Sequence, residues 1–183
     1  MKAVLSKENK DMKLQSVTTP YSAASLDLIT TAFATAEHSD GHEAELVATL
    51  RQQPNYHPEF DVIAIDDQSR LVGHALLSEA VVGEQWPVLV LAPLAVLPKA
   101  QRQGIGRALI AELEKRAAET KFLAISILGD PAYYGQFGYQ PAADFGVTAP
   151  MAVESKYFML KPLGQKRLQS VRGKLQYDPA FGI

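Results

Sequence analysis

The sequence predicts an α/β protein in which a central mixed sheet carries helices on both faces. The first indication is an apolar segment, residues 88–96, followed by a helical pattern over 104–119 and a second apolar segment over 122–128. Strands that are apolar on both faces and joined by a helix are expected to pair in parallel through a right-handed crossover. The second indication is a predicted antiparallel hairpin, since segments 60–66 and 71–82 flank the turn-like sequence DQSR.

The composition is that of an ordinary globular protein. The 183 residues, 47% hydrophobic and 21% charged, suit one domain with a single core. A net charge of −2 gives no electrostatic support for nucleic acid or anionic membrane as a partner, and the absence of cysteine excludes disulfides and thiolate metal sites. Neither a signal peptide nor a membrane-spanning run is evident, so we expect a cytoplasmic protein.

The chain ahead of the hairpin predicts a tail, a strand and two helices. Residues 1–12 are lysine-rich and unpatterned, so we expect a flexible tail before a single domain over 13–183, which opens with a strand at 13–17. The first helix begins at Thr19-Pro20, and the second at Asp40 with a capping-box partner three residues later. Apolar residues recur at helical spacing: Leu26, Ile29, Phe33, Leu46, Val47 and Leu50.

The chain after the second buried strand predicts one short helix and two further strands. Asp130 and Pro131 suit the cap and first turn of a helix that ends near Gly138. Residues 157–163 and 173–181 are expected to be strands that complete the sheet.

Pro93 stands in the middle of the apolar segment 88–96. Proline cannot donate to a strand ladder and is confined to edges and bulges, so we expect a bulge that bends this strand. Buried backbone groups beside a bulge must find another partner. The sequence leaves two alternatives open: a ligand whose own amides lie along the strand, or bridging water in a simple kink.

Gly104 and Gly106 mark the start of the helix at 104–119, in the sequence QRQGIGRAL. The first N–H groups of a helix have no partner within it, and the helix dipole favours negative charge there. Because glycine lacks a side chain, a phosphate can approach this backbone closely, and Arg102 and Arg107 are available as cationic contacts. The alternative is that the glycines only ease a tight strand-to-helix turn.

Two motifs in this order resemble those of the GNAT superfamily of N-acetyltransferases. QRQGIG, residues 101–106, matches the Gln/Arg-x-x-Gly-x-Gly/Ala acetyl-CoA signature of that family. YYGQFGY, residues 133–139, is similar to a later family element in which a tyrosine stands four residues before a glycine–aromatic pair. Together with LAPLAV, these motifs look most like one bacterial subfamily, and the resemblance spans about residues 13–163 in element order.

The resemblance implies a mixed, mostly antiparallel sheet with a splayed, bulged central strand, and acetyl-CoA as the cosubstrate. Leu94, Ala95 and Val96 match the bulged strand whose backbone pairs with the pantetheine arm. The positions that match the pyrophosphate-binding loop are Gln101, Arg102, Gln103, Gly104, Ile105, Gly106 and Arg107. The implied reaction is direct transfer of an acetyl group from acetyl-CoA to an amine.

Tyr134 matches the family tyrosine placed near the thioester sulfur, often the general acid for the leaving thiolate. A phenol with a reference pKa of about 10 is protonated at neutral pH, so it can donate a proton. Without the motif, Tyr134 is a core aromatic residue among several. Tyr133 takes the same role if the helix is rotated by one position.

A base for the amine is harder to identify. A lysine-like amine has a pKa near 10.4 and must lose its proton before it attacks. The segment 88–96 contains no carboxylate, although many family members carry a glutamate there. Glu79, on the neighbouring strand, is the nearest candidate, directly or through water, or else is a solvated strand-end acid. His74 lies on the opposite face of that strand and is interpreted as a packed or edge histidine.

Acidic residues gather around the first two predicted helices, which the resemblance places on the acceptor side: Glu37, Asp40, Glu43 and Glu45. Such a patch attracts a cationic amine, or it is an ordinary solvated helix start. His38 and His42 lie nearby without a firm third ligand, so we expect no metal.

Three functional hypotheses follow. The first is an acetyl-CoA-dependent N-acetyltransferase acting on a small-molecule or protein amine, with a homodimer left open. The second is a non-catalytic acyl-CoA-binding module or sensor on the same fold, which the missing carboxylate favours. The third is a dinucleotide-binding enzyme, for which Asp130 suits a ribose-binding acid, but Leu109 stands where its third glycine is required.

Overall fold

The computed structural model describes residues 12–36, 39–164, 166 and 168–183. The strands are β1 Lys13–Ser16, β2 Asp61–Ile65, β3 Leu71–Val82, β4 Trp86–Val96, β5 Ala124–Leu128, β6 Gln140–Pro141, β7 Val147–Thr148, β8 Phe158–Pro162 and β9 Gly173–Gln176. The α-helices are α1 Thr19–Phe33, α2 Glu43–Leu50, α3 Ile105–Ala118 and α4 Pro131–Tyr134. The predicted tail lies outside the described residues except for Met12. Among the described residues, no helix has the length and apolar composition needed to cross a bilayer.

The strands form a mixed sheet in the order β1-β2-β3-β4-β5-β8-β6, with β9 paired to the end of β3 and to β7. β1 to β4 are antiparallel to one another, and β5, β8 and β6 are also joined by antiparallel pairs. β4 and β5 pair in parallel, and α3 connects them along the chain. The predicted mixed, mostly antiparallel sheet is therefore confirmed, including its parallel strand–helix–strand unit.

Helices cover both faces of the sheet. Alternate residues of β3 point to opposite faces, and their contacts show which helix covers each one. Ala75 and Leu77 pack in one buried cluster with Leu109 of α3. Leu76, which lies between them, packs in another cluster with Ile29 of α1 and with α2 residues. α3 thus lies on one face, and the α1–α2 pair lies on the other.

Several element boundaries differ from the sequence predictions. Helix α2 begins at Glu43, not Asp40, and no side chain caps it, so the predicted capping box is wrong. Asp40 Oδ1 instead accepts a hydrogen bond from the backbone N–H of His42 at 2.9 Å, which stabilises a turn before the helix. The closing strands β8 and β9 are shorter than predicted, and the two-residue strands β6 and β7 carried no recognisable pattern.

The bulge predicted from Pro93 lies in β4. Ala75 of β3 pairs with Leu94, whereas Leu77 pairs with Leu91, so β4 holds one more residue than β3 in this interval. The extra residue falls at Ala92-Pro93, where proline has no N–H to donate.

The pairing of β4 with β5 ends just before this bulge. Within the described residues, their parallel register covers only Leu89–Ile125 and Val90–Ser126, although both strands continue further. Beyond Val90, the β5-facing edge of β4 is therefore not paired to β5, and a cleft opens between the two strands.

A buried ionic cluster holds the α1–α2 pair against the sheet. Asp61 of β2 is inaccessible to solvent and accepts hydrogen bonds from Arg51 Nε (2.7 Å) and Tyr56 Oη (2.8 Å). His74 Nε2 lies 2.7 Å from Asp61 Oδ1, and in the neutral imidazole this nitrogen donates to the carboxylate. Arg51 also donates to the Ser25 hydroxyl of α1 at 2.9 Å. The interpretation of His74 as a packed residue therefore holds, with Asp61 as its partner.

We expect Asp61→Asn to lower the free energy of unfolding by about 3–5 kcal/mol, because it leaves the buried Arg51 cation uncompensated. Burial raises the pKa of Asp61, but hydrogen bonds and charge from His74 and Arg51 outweigh it and lower this pKa to about 2. Since the pKa is lower in the folded state, the stabilisation is present above about pH 4 and is lost as the pH falls towards 2.

Urea unfolding of the wild type and the variant from pH 7 down to pH 2 measures both effects. Asp66→Asn is the matched control, since that carboxylate is bound by exposed Arg70 in the β2–β3 turn. Equal destabilisation by the two variants, or an Asp61 contribution that does not decline in acid, would contradict the assignment.

Candidate functional site

Two cavities meet at the opening between β4 and β5. The first, which we call the helix cleft, has a volume of about 450 Å³ and lies between the end of β4, the start of α3, and α4. The second, which we call the acidic groove, has a volume of about 560 Å³ and lies between β4, the α1–α2 region and the C-terminal residues. Leu94 and Tyr134 line both cavities, so they lie at the boundary between the two.

The start of α3 forms one wall of the helix cleft. Gly104 caps the helix with φ of +84°, and the first helical hydrogen bond runs from Ala108 N–H to the Gly104 carbonyl. The backbone N–H groups of residues 103–107 donate no hydrogen bond to another described residue. Consecutive unpaired N–H groups at the positive end of a helix dipole form a binding site for an anion.

Most of the predicted loop residues line the helix cleft. They are Gln101, Arg102, Gly104, Ile105, Gly106 and Arg107, together with the strand residues Leu94 and Val96. Gln103 does not line the cleft, and its side chain donates to the Lys99 carbonyl at 3.3 Å. The Ala95 side chain is buried against α1 and α2, so only its backbone is available to a ligand along β4.

Tyr133 lies across the start of α3, a contact that the sequence did not predict. A Cβ atom built on Gly106 would lie 2.5 Å from the Tyr133 hydroxyl oxygen, so a side chain at this position would have to displace the end of Tyr133. The Tyr133 ring makes edge contacts with Tyr134 (4.9 Å between ring centroids) and Phe137 (5.1 Å). Arg107 lies over the Phe137 ring at 5.6 Å, so the aromatic set and the helix start pack as one unit.

Helix α4 and its glycine neighbour position Tyr134. The Asp130 side chain caps α4, as predicted, by accepting from the Ala132 N–H at 2.9 Å. A Cβ atom on Gly129 would lie 2.3 Å from the Tyr134 ring, so the ring lies directly on this glycine. Burial raises the pKa of Tyr134, with a smaller contribution from Tyr133. Tyr134 therefore stays protonated across the neutral and mildly alkaline range, as a proton donor must.

The structure does not bring Glu79 to either cavity. Its carboxylate Oε1 lies 2.7 Å from His57 Nε2 and 3.5 Å from Lys121 Nζ. Glu79 has the same parity along β3 as Leu77, which packs towards α3, so it is on the face opposite the α1–α2 pair. The predicted role of Glu79 as a base therefore has no support from its position. The sequence could not reveal its position, because strand parity alone does not show which helix covers each face.

The acidic groove carries most of the predicted acidic patch. Asp40, Glu43 and Glu45 line it, whereas Glu37 and His38 lie outside the described residues. His42 also lines the groove, and its Nδ1 lies 3.0 Å from a Glu45 carboxylate oxygen. This hydrogen bond, together with the charges of the neighbouring carboxylates, raises the pKa of His42. The described residues bring no three His, Asp or Glu side chains together as metal ligands.

The opposite wall of the groove comes from distant parts of the chain. Met151, Tyr177 and Phe181 line it together with β4 residues. Their contribution was missed at the sequence level because nothing local to these residues indicates which cavity they approach.

Comparison with known proteins points to one family of enzymes. The model of the acetyltransferase (GNAT) family matches residues 26–139. The chain is 31% identical over 140 residues to the uncharacterized N-acetyltransferase YhbS of Escherichia coli strain K12, covering 76% of this chain and 83% of that protein. It is 34% identical over 123 residues to the uncharacterized N-acetyltransferase YjhQ of the same strain, covering 63% and 65%.

Two crystal structures share the fold over nearly the whole chain. YhbS from Escherichia coli in complex with CoA has a TM-score of 0.81 and 26% identity, covering 94% of this chain and 93% of that one. A GNAT family acetyltransferase from Brucella melitensis in complex with acetyl-CoA has a TM-score of 0.74 and 25% identity, covering 93% and 97%.

Proposed function

The chain belongs to the GNAT family of acetyltransferases, and from that premise we propose that it transfers the acetyl group of acetyl-CoA to a primary amine by direct attack in a ternary complex. The observation that carries this proposal is the meeting of two cavities at Tyr134 and Leu94. One cavity has the features of an anion-binding cleft, and the other is lined by carboxylates. A donor and an acceptor bound in the two cavities would meet beside Tyr134.

The residues of the helix cleft fit acetyl-CoA. The unpaired N–H groups of residues 104–107 suit its diphosphate, and Arg102 and Arg107 add positive charge. Gly104 leaves room for a phosphate close to the backbone, since no described atom lies within 4 Å of a Cβ built on it.

The unpaired edge of β4 suits the rest of the donor. Beyond Val90, this edge faces the cleft rather than β5, and its backbone groups can hydrogen-bond the amides of a pantetheine arm. An arm that begins at the start of α3 and follows β4 towards the bulge leads to Leu94 and Tyr134, at the boundary between the cavities.

Bound acetyl-CoA supplies an activated acetyl thioester. In the proposed step, the acceptor nitrogen forms a bond to the acetyl carbon as the carbon–sulfur bond breaks, and the electron pair of that bond leaves on sulfur. Tyr134 donates its hydroxyl proton to this sulfur. The nitrogen releases its extra proton to solvent as the amide forms, and Tyr134 is reprotonated from solvent. The carboxylates among the described residues that line the cavities all belong to the acidic groove, and neither of the residues that the two cavities share, Leu94 and Tyr134, is a base for the amine. We propose that water takes the proton from the amine.

Release of free thiol from acetyl-CoA, measured with a panel of primary amines, tests the proposed activity. Amine-dependent release supports the transferase. Tight acetyl-CoA binding without release in the presence of any amine would favour a non-catalytic acyl-CoA-binding module instead.

Tyr134→Phe is expected to lower kcat about a hundredfold or more, with little change in CoA affinity, because it removes the proton donor but keeps the ring. Steady-state thiol release and calorimetric CoA binding measure the two quantities. Tyr133→Phe is the matched control and should retain most of the turnover. A larger loss in Tyr133→Phe than in Tyr134→Phe would transfer the acid role to Tyr133.

Gly104→Asp and Gly104→Asn form a matched pair for the diphosphate site. Both side chains tolerate the positive φ at this position and cap helices well, so both variants should fold. Only aspartate places a negative charge beside the diphosphate, and we expect it to bind acetyl-CoA about tenfold or more weakly than the asparagine variant. Equal affinities of the two variants in calorimetry would show that the diphosphate does not bind at this helix start.

The pH dependence tests the route of the amine proton. With water as the acceptor, kcat/KM for a lysine-like amine should rise about tenfold per pH unit from pH 7 to 9, following the fraction of neutral amine. Ionisation of Tyr134 should not oppose this rise, since its pKa is raised. A plateau near neutral pH, measured with acetyl-CoA saturating, would reveal a base on the protein.

A further inference from the structure

We infer that the acceptor is a small cationic amine with an apolar body and no carboxylate next to its amino group, and that Glu43 and Glu45 select it. This inference rests on the proposed acetyl transfer and adds the chemical class of the acceptor. It is carried by the lining of the acidic groove and by the two residues that this groove shares with the helix cleft. We call the carboxylates of the groove its rim and the apolar residues its floor.

The charge of the groove has a single sign apart from one histidine. Asp40, Glu43 and Glu45 form its rim, and no lysine or arginine is among the described residues that line it. His42, the one basic side chain present, is already engaged by Glu45. A carboxylate on the acceptor would therefore enter without a free cationic partner and against three negative charges, whereas an ammonium group would be attracted.

The remaining surface of the groove is mainly apolar. Phe33 and Leu46 contribute from α1 and α2, Leu128 from β5, and Met151 and Phe181 from the C-terminal part of the chain. The volume of about 560 Å³ falls in the range of roughly 300–1,000 Å³ that is typical of small-molecule sites. An aromatic or aliphatic body of that size would be desolvated on this surface, whereas a small, fully hydrated amine would gain little.

The two parts of the groove act at different stages. The carboxylates raise the local concentration of the protonated amine, which is the dominant species at neutral pH. The apolar floor holds the body of the acceptor while its nitrogen, after losing a proton to water, lies near Tyr134 and Leu94. Selection against a neighbouring carboxylate follows from charge, and selection for the body follows from apolar contact.

Matched acceptors test the charge selection. Phenethylamine and phenylalanine differ only by a carboxylate, and phenylalanine amide adds comparable bulk without the charge. We expect kcat/KM, compared per neutral amine, to be at least about tenfold higher for phenethylamine and phenylalanine amide than for phenylalanine. Equal or faster acetylation of phenylalanine would overturn the inference.

Variants of the rim test the residues. Glu43→Gln and Glu45→Gln should each reduce the preference for phenethylamine over phenylalanine by about threefold, and the double variant by about tenfold. Glu84→Gln is the matched control, because that exposed carboxylate lies in the β3–β4 turn and lines neither cavity. KM for phenethylamine should rise with salt in the wild type and less so in the double variant. If the double variant kept the same preference for phenethylamine over phenylalanine, Glu43 and Glu45 would have no part in acceptor selection.

Amine binding to the CoA-loaded protein separates this inference from the proposed activity. Calorimetry should show tighter binding of phenethylamine than of phenylalanine whether or not turnover occurs. No thiol release with any amine, together with this binding preference, would overturn the transferase but not the assigned class of ligand. Thiol release without any difference between the two acceptors, in rate or in binding, would overturn the class of acceptor but not the transferase.

Discussion

The separation of β4 from β5 is the constraint on which the rest of the site depends. Both strands are apolar and buried where they pair, yet the pairing ends at Val90. Pro93 has no N–H to offer a ladder, and the extra residue at Ala92-Pro93 follows closely after the last β4–β5 pair. This separation leaves backbone groups of β4 without strand partners inside the sheet. An acetyl donor that lies along β4 would form hydrogen bonds with them.

Two elements complete the opening from opposite sides of the separated strands. α3 follows β4 and aims its unpaired N–H groups into the helix cleft, whereas α4 follows β5 and places Tyr134 where the cleft meets the acidic groove. Gly106 and Gly129 allow this convergence, because a Cβ atom at either position would overlap a tyrosine of α4. The parallel strand–helix–strand unit thereby brings both ends of the proposed donor site together.

The buried Asp61 cluster has a positioning role on the other side of the sheet. It joins Arg51 at the end of α2 and Ser25 in α1 to β2 and β3. These helices supply Phe33 and Leu46 to the acidic groove, so the position of that wall depends on a fully buried carboxylate with three hydrogen-bonding side chains around it. A cluster of this kind is costly to break, and it limits how far the α1–α2 pair can move relative to β4.

Local features of the sequence determined the elements and the family motifs of this protein. The bulge at Pro93, the glycine-rich start of α3 and the cap at Asp130 depend on neighbouring residues, and the structure has them where the sequence predicts. Strand and helix periodicity predicted the longer elements, but not the start of α2, the lengths of β8 and β9, or the short strands β6 and β7. Only the tertiary structure decided that Glu79 faces His57 rather than the cleft, that Tyr133 covers Gly106, and that C-terminal residues close the acidic groove. The physical reason is that such contacts join residues far apart in the chain, and their choice depends on how whole elements pack rather than on any pattern within one of them.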